Sequence, residues 1–496
     1  MYVDKTRLVY QLTHSGKYFF LSRPRRFGKS LLISTLKAYF EGKKELFQGL
    51  ALEKLEADWT SYPVLHLDLN SEIYQSQDSL LKILKRHLLK WARSHSVDLP
   101  DDTISGQFES IIEQVHAKTN QKIVILVDEY DKPLLETMDN PELQESYRRI
   151  LKGFYGMLKS MDQYIRFAML TGVTKFGKVS VFSDLNNLND ISLDESYHDI
   201  CGITEVELLD NFTEELQALS LRLGKDMDDT LKLLKENYDG YHFCASTSPG
   251  LYNPFSLLNA LSKSQIGSYW FATGTPTFLV KLIQKNNGDL DSILGMSTSA
   301  DVLNCIDLSS NNPVSTLYQS GYLTIKSYDD EYELYNLGFP NKEVEKGFYE
   351  FMFPFYTSLT NAETRSGIVN IVQDIRNGNV EGFMRWLKSL FADTPYELVL
   401  NLENYYQNVL HILFKLLGFY VQAERHTSVG RIDLLLQTSL FVYVMELKLD
   451  KSAQEALAQI DSKEYALAFE ASGRKIFKIG INFSSKTRNI EDWIIA

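Results

Sequence analysis

Two short runs of residues, far apart in the chain, have types and spacings suited to phosphate chemistry. The first, Ser22-Arg-Pro-Arg-Arg-Phe-Gly-Lys-Ser30, follows the apolar run Tyr18-Phe-Phe-Leu21 and leads into an amphipathic stretch, Leu31–Phe40, stopped at Gly42. Strand, loop, Gly-Lys-Ser and helix in that order form the setting of a phosphate-binding loop. Backbone N–H groups at the helix start, with the positive end of its dipole, would face the β- and γ-phosphates of a nucleotide. Lys29 adds a point charge, and the Ser30 hydroxyl can ligate Mg2+. Only one of the Gly-Lys pairs, Gly28-Lys29, is followed by Ser or Thr. The general GxxxxGK[ST] pattern has glycine where this chain has Arg23, so the first turn must be shaped differently, with Pro24 as the candidate. The plainer reading of the run alone is a basic turn.

A second signal supports the first. The β-branched run Ile123-Val-Ile-Leu-Val127 has the pattern of a strand buried on both faces, and it ends in Asp128-Glu129. Open α/β sheets hold their ligands at the C-terminal edge of such strands. Asp128 would hold Mg2+, and Glu129 would polarise an attacking water. Thr171, after the next apolar run, either senses a γ-phosphate or caps the turn at Gly172. Arg148 and Arg149 are read as a solvated helix face rather than as arginine fingers.

The other run is Gly430-Arg-Ile-Asp433 with Glu446-Leu-Lys448. If a two-residue turn lies at Thr438-Ser439, Gln437 faces Leu440 and Asp433 lies opposite Val444, diagonal to Glu446. Asp433, Glu446 and Lys448 then project from one face. Two such carboxylates can share a Mg2+ ion, and Lys448 can orient or deprotonate a water and offset charge on a phosphorane. Glu403, on the preceding helix, is a candidate further ligand. Gln459, on the helix that follows, is a candidate for placing water or substrate. The bland alternative is a surface hairpin with ordinary cross-strand charge pairs.

The elements that must position these residues follow from the patterning. The first half alternates apolar runs with amphipathic stretches, predicting a mostly parallel sheet covered by helices. Its strands are expected at Tyr18–Leu21, Val64–Leu69, Ile123–Val127 and Ile165–Leu170, with a weaker one near His198–Ile203. From Val206 to Gln265 the pattern is helical, punctuated at Asn237-Tyr-Asp-Gly240. A helix ending at Gly321, a hairpin of Tyr322–Lys326 with Glu331–Asn336, and a helix at Asn341–Phe355 are compatible with a winged-helix-like module. The last hundred residues predict an α/β unit: a helix at Leu398–Leu417, the hairpin Arg431–Lys448, a helix opened by the capping pattern Ser452-Ala-Gln-Glu455, and a strand at Ile476–Phe483.

A chain of 496 residues is too long for one ordinary core. The expected division is residues 1–205 (nucleotide-binding domain), 206–345 (helical lid and winged-helix-like module) and 346–496 (linker helices and C-terminal α/β domain). Hydrophobic and aromatic shares of 44% and 12% are globular values. Three scattered cysteines exclude a disulfide framework or a Cys-rich zinc site, and with no secretory signal the expectation is a cytoplasmic protein. Apolar runs fall far below the roughly 18 residues of a membrane helix, so no membrane partner is expected. The net charge of −13 argues against a surface that is basic all over. From Glu397 onward, however, 12 acidic residues stand against 11 basic ones, so this part can approach a phosphate backbone at less cost.

The chain resembles the bacterial family of AAA-ATPase-like proteins with a C-terminal PD-(D/E)xK nuclease domain. Tyr2-Val-Asp-Lys-Thr6, Phe20-Leu-Ser-Arg-Pro-Arg-Arg-Phe-Gly-Lys-Ser30, Val127-Asp-Glu-Tyr-Asp-Lys-Pro133, Leu170-Thr-Gly-Val-Thr-Lys-Phe176 and Tyr238-Asp-Gly-Tyr241 resemble its ATPase part. Gly430-Arg-Ile-Asp433, Glu446-Leu-Lys448 and Gln459-Ile460 resemble its nuclease part. Within that family Arg23 in place of glycine is the usual form. The resemblance implies ATP and Mg2+ as cofactors. Arg25, Arg26, Phe27, Gly28, Lys29, Ser30, Asp128 and Thr171 are then the nucleotide set, and Ser30, Asp128, Glu403, Asp433 and Glu446 the metal set. Glu129, Asp433, Glu446, Lys448 and Gln459 are the catalytic set.

The leading expectation is an ATP-driven or ATP-gated enzyme that cleaves nucleic acid, DNA ahead of RNA, and a homo-oligomer is compatible with it. The rival is an ATP-dependent switch or DNA-binding regulator whose nuclease-like domain only binds. A third reading is a phosphate loop kept for packing.

Overall fold

The computed structural model describes residues 2–100, 103–175, 187–246, 249–271, 283, 296–304, 313–357, 359–392, 402–418, 420–428, 431–470 and 472–496. For 361, 402–407, 422–428, 431–433 and 468 it describes the backbone alone. The chain forms two compact units: residues 1–274 with 291–343, and residues 275–290 with 344–496.

The first unit is built on a parallel sheet of β1 (Tyr18–Ser22), β2 (Val64–Asp68), β3 (Ile123–Asp128), β4 (Ile165–Gly172) and β5 (Asn189–Asp190), in the order β2-β3-β4-β1-β5. Every residue of β1 and β3 is buried, as their unbroken apolar runs require. After α1 (Thr6–Ser15) and β1, α2 (Lys29–Phe40) packs against β2, β3 and β4. The helices Gln77–His95, Ile104–Thr119 and Pro141–Ser160 join the core through Leu84, Phe108, Ile112, Leu151 and Phe154. Asn140 and Pro141 start the last of these by side-chain cap and fixed φ. The four main strands lie where the sequence predicts them. The weaker one near His198–Ile203 does not join the sheet; residues Glu195–Tyr197 form a 3-10 turn, and Ile203 makes a single bridge to Tyr252. The fifth place is taken instead by β5, beside β1.

The helices Glu205–Asn211, Thr213–Leu223, Met227–Tyr238 and Pro254–Lys263 follow, around Leu208, Leu216, Leu234, Tyr238 and Leu257. A three-stranded antiparallel sheet follows, with β6 (Ser297–Thr298) beside β8 (Leu334–Gly338), which pairs with β7 (Thr324–Asp329), and the helix Val314–Ser320 lies in the chain between β6 and the β7–β8 hairpin. These helices and this sheet lie within the first compact unit, together with the parallel sheet.

The second unit carries the helices Asn361–Asn377, Val380–Ala392 and Leu402–Gly418 and a mixed sheet. Its strands are β9 (Gln422–Ser428), β10 (Arg431–Gln437), β11 (Phe441–Leu449), β12 (Lys475–Ser484) and β13 (Asn489–Ile495), in the order β13-β12-β11-β10-β9. Between β11 and β12 the helix Ala453–Ser462 packs on both strands, started by Ser452, whose side chain accepts from the Glu455 N–H. Gly480 makes this approach close, since a Cβ there would lie 2.2 Å from Ala453 O. The fold is thus α/β throughout, with an AAA-like parallel sheet, a helical middle and a C-terminal sheet domain. No described helix is long and apolar enough to cross a membrane.

Candidate functional site

The loop between β1 and α2 is held from beneath. Arg23, only 1% exposed, donates from Nη1 to Ser22 O (2.9 Å) and Ser192 O (2.8 Å) and from Nη2 towards Tyr197 O and His198 O. Its guanidinium also stacks over the Phe243 ring at 4.1 Å. The position needs no glycine: positive φ occurs further along, at Arg26 (66°) and Gly28 (98°). Pro24 is buried beside Gly321. Phe27 turns inward, edge-on to Tyr241 (4.7 Å) and Phe243 (5.3 Å), and Arg26 lies over Phe255 at 3.8 Å. Phe27 is buried, whereas the Arg26 side chain stays exposed. Arg25 and Ser30 are exposed, and a Cβ on Gly28 would meet nothing within 4 Å, so the turn is open on its outer side. The first N–H groups of α2 have no intrahelical acceptor.

Lys29 is 4% exposed, and its Nζ donates to Arg23 O (2.9 Å) and Pro24 O (3.0 Å). Burial lowers its pKa, against the opposing pull of Glu129, Asp131 and Asp128. These acids stand at the end of β3. Asp128 is buried and accepts from Thr171 Oγ1 at 2.8 Å, because β4, which carries Thr171, lies between β3 and β1. Glu129 has a left-handed φ of 53°, and burial, helped by Asp131 and Asp128, raises its pKa against the pull of Lys29 and Lys132. Lys29, Asp128, Glu129 and Thr171 therefore gather at one sheet edge. Arg148 is half-buried and pairs with Glu145 at 3.5 Å on its own helix, while Arg149 is exposed.

In the second unit the hairpin register differs from the expected one. Gln437 pairs with Val442, and Asp433 with Glu446 directly rather than diagonally. The turn is longer than two residues because Thr438 closes it, its Oγ1 accepting from Leu440 N and Phe441 N. The shift is by two residues, so the parity of the register positions is kept. Glu446 is fully buried, and Lys448 Nζ donates to Glu446 Oε1 at 2.9 Å and to Gln459 Oε1. Glu446, Lys448 and Gln459 thus meet where the helix Ala453–Ser462 covers β11. The side chains of Glu403 and Asp433 lie outside the described residues. Among the described residues no group of three or more His, Cys, Asp or Glu is placed to hold a metal ion.

Known proteins carry both halves of this architecture. Residues 1–182 match the family model for predicted AAA-ATPases (AAA-ATPase_like), and residues 401–493 match that of the PD-(D/E)XK nuclease superfamily. A protein of Azotobacter chroococcum mcd 1, described as "Uncharacterized protein in vnfD 5'region", is 34% identical over 505 residues. The match covers 100% of this chain and 95% of that one. The chain belongs to this family of AAA-ATPase-like proteins with a PD-(D/E)XK nuclease-superfamily domain. Among solved structures, the Aeropyrum pernix ORC2 protein (ADPNP-ADP complexes) matches at 10% identity over 68% of this chain and 87% of that chain. Its TM-score of 0.19 is too low to say anything of fold or function.

Within the AAA-ATPase-like half, residue-by-residue reading missed Asp131 and Lys175, which lie in the very segments that carry the family resemblance. Asp131 is 1% exposed, and its Oδ2 accepts from Thr174 N and Thr174 Oγ1, both at 2.6 Å. Lys175 is buried, pairs with Asp190 and donates to Asn304 Oδ1 at 2.9 Å. The signal available for Asp131 was a third acid, three residues beyond Asp128, in the run Asp128-Glu-Tyr-Asp131.

Proposed function

We propose that the protein binds and hydrolyses ATP and that its C-terminal domain cleaves nucleic acid phosphodiesters with Mg2+, DNA ahead of RNA. The cleavage reading rests on one observation: Lys448 bridges the buried Glu446 and Gln459 while Asp433 stands opposite Glu446 in the register. Bound Mg2+ would supply Lewis-acid polarisation of the phosphate and of a water, held by Glu446 and Asp433, with Glu403 as a further candidate. Glu446 is fully buried and already aligned by the Lys448 ammonium at 2.9 Å, which suits a ligand held in one orientation. Lys448 keeps Glu446 aligned and offsets charge that grows on the phosphorus-bound oxygens. Gln459 holds the Lys448 ammonium in place. A water oxygen joins phosphorus as the water gives up a proton, one P–O ester bond breaks, and the departing alkoxide takes up a proton, so that one water is added across the ester.

The ATP reading is supported by the open turn at Gly28 and by Lys29 among Asp128, Glu129 and Thr171. Lys29 is on a flexible stem and can exchange the two loop carbonyls for phosphate oxygens. Ser30 and Asp128 are the residues that would hold the Mg2+ of the nucleotide, and Glu129 would orient the water that attacks the γ-phosphorus.

The experiment follows ATP hydrolysis and cleavage in the same tubes, with Mg2+ and a panel of single- and double-stranded nucleic acids. Lys29→Ala should abolish hydrolysis, and Glu446→Ala or Lys448→Ala should abolish cleavage. Coupling of the two activities predicts that cleavage depends on ATP and is lost in Lys29→Ala; unchanged cleavage in all cases removes the coupling. DNA bound but never cut, with neither nuclease-site change altering behaviour, would favour an ATP-dependent regulator, the reading to which the helix–hairpin module lends itself.

A further inference from the structure

Beyond the strand end that carries Asp128 and Glu129, one buried carboxylate gathers its donors from a single two-residue segment. We propose that Asp131 is a positioning residue of the nucleotide site, holding the end of β4 in register with Asp128 and passing that position to the helix Val314–Ser320. The inference rests on the nucleotide-site reading above.

Asp131 accepts from Val173 N at 3.1 Å and from both the N–H and the hydroxyl of Thr174. Tyr130 adds two bonds: its N–H donates to Thr171 O (3.0 Å) and its hydroxyl to Thr174 O (2.9 Å). Residues 128–131 thus grip residues 171–174 through six hydrogen bonds, one of them the Thr171 bond to Asp128. The fit leaves no room for a side chain at Gly172, where a Cβ would lie 2.7 Å from Asp131 Oδ1 and from the Tyr130 ring. Burial raises the Asp131 pKa, while the Thr174 bonds hold it down. A carboxylate that served packing alone would be cheaper as an apolar residue.

The next residue carries the position onward. Lys175 N donates to Gln319 Oε1 at 2.8 Å, and Gln319 Nε2 donates to Leu303 O at 2.6 Å. The Lys175 ammonium reaches Asn304 and Asp190, the latter beside Phe20 of β1. The same helix end meets the phosphate loop, because Gly321 abuts Pro24 and Tyr241 OH donates to Gly321 O at 3.1 Å. A small cavity lined by Arg23, Pro24, Lys175, Asn304 and Gln319 lies at this junction, so a displacement of either strand end has space to be taken up there. The helix before the hairpin is therefore in touch with both the loop that would hold the phosphates and the strand end that would face them.

The test compares the wild-type chain with Asp131→Ala, Asp131→Asn and Gln319→Leu. Three readouts are taken: ATP affinity, steady-state hydrolysis, and amide hydrogen exchange of residues 313–338 with and without ATP and Mg2+. ATP should change exchange in 313–338 of the wild type. Asp131→Ala should lower kcat by about tenfold or more with ATP affinity held within about threefold, and should erase the ATP-dependent change in exchange. Asp131→Asn, which keeps one acceptor, should fall between. Gln319→Leu should erase the exchange response with hydrolysis within about twofold of wild type. Loss of affinity and kcat together in Asp131→Ala, without recovery in Asp131→Asn, overturns the proposal. So does wild-type chain that binds ATP with no response in 313–338, an outcome that leaves the nucleotide-site reading standing. Wild-type chain that binds no ATP overturns both.

Discussion

Thr171 Oγ1 donates to Asp128 Oδ1 across 2.8 Å, tying the end of β4 to the end of β3. Both side chains are buried, so the hydroxyl fixes one carboxylate oxygen within the sheet edge. Of the two sequence readings for Thr171, sensing a phosphate or capping a turn, the geometry adds a third: it orients the acid that would hold the nucleotide's Mg2+.

Replacing Thr171 with Val keeps the volume and removes the donor. A hydrogen bond to a charged group contributes roughly 1.5–3 kcal/mol. If the aligned carboxylate matters mainly in the transition state, kcat for ATP hydrolysis should fall by about tenfold or more. Nucleotide affinity should stay within about threefold. Single-turnover hydrolysis beside a fluorescent-nucleotide titration separates the two, and equal losses in both would remove the orienting role.

Arg23 gives a prediction that runs against the general motif. Restoring glycine, as in Arg23→Gly, should not improve the phosphate loop. The guanidinium serves carbonyls of Ser22, Ser192, Tyr197 and His198 and stacks on Phe243, and glycine would leave buried acceptors without a donor. The cost should be at least about 3 kcal/mol, seen as a melting point lowered by several degrees. ATP binding should weaken with it. A melting curve equal to wild type would show that the carbonyls find other donors.

How far the sequence could carry the reading is seen in these residues. β1, β3 and the Gly28 turn were legible because unbroken apolar runs and a Gly-Lys-Ser sequence are local signals. The hairpin of β10 and β11 was legible in its faces but not in its register. Alternation determines parity, whereas the pairing partner depends on the turn, and the Thr438 side-chain bonds that lengthen it have no strong sequence signature. β5 was missed because two polar residues, Asn189 and Asp190, carry no periodicity; they join the sheet through pairing with Phe19 and Phe20 alone. Asp131 and Lys175 were missed for a different reason: their partners, Thr174, Asn304 and Gln319, are brought to them only by the tertiary fold.

At the nuclease-like edge, a double-mutant cycle on Glu446 and Lys448 tests whether they act as a pair. Removing one member of a buried ion pair strands the other and costs about 3–5 kcal/mol, whereas removing both is far cheaper. Lys448→Met should therefore destabilise strongly, and Glu446→Gln with Lys448→Met together should recover at least about 1 kcal/mol of that loss. Both variants should lack cleavage. Chemical denaturation of the second unit's transition reads the stability; strictly additive costs would mean the 2.9 Å contact carries no coupling.

Glu129 sets a pH dependence whose sign can be worked out. Burial, Asp131 and Asp128 raise its folded pKa above that of the unfolded chain, while Lys29 and Lys132 pull the other way without cancelling the rise. Between the two values the folded state binds more protons, so stability falls as pH rises through the folded value, and at neutral pH the ionised side chain is a cost. Glu129→Gln removes that cost. The variant should melt higher than wild type near pH 7.5, and the difference should shrink as the pH falls below the folded value. Hydrolysis needs the same group ionised to orient water, so wild-type kcat/KM should show an acid limb above the ordinary glutamate range. Glu129→Gln should bind ATP but not turn it over. Melting curves from pH 5 to 8 with and without ATP read stability and binding together, and a variant that melts lower than wild type at pH 7.5 would contradict a buried charge held at a cost for catalysis.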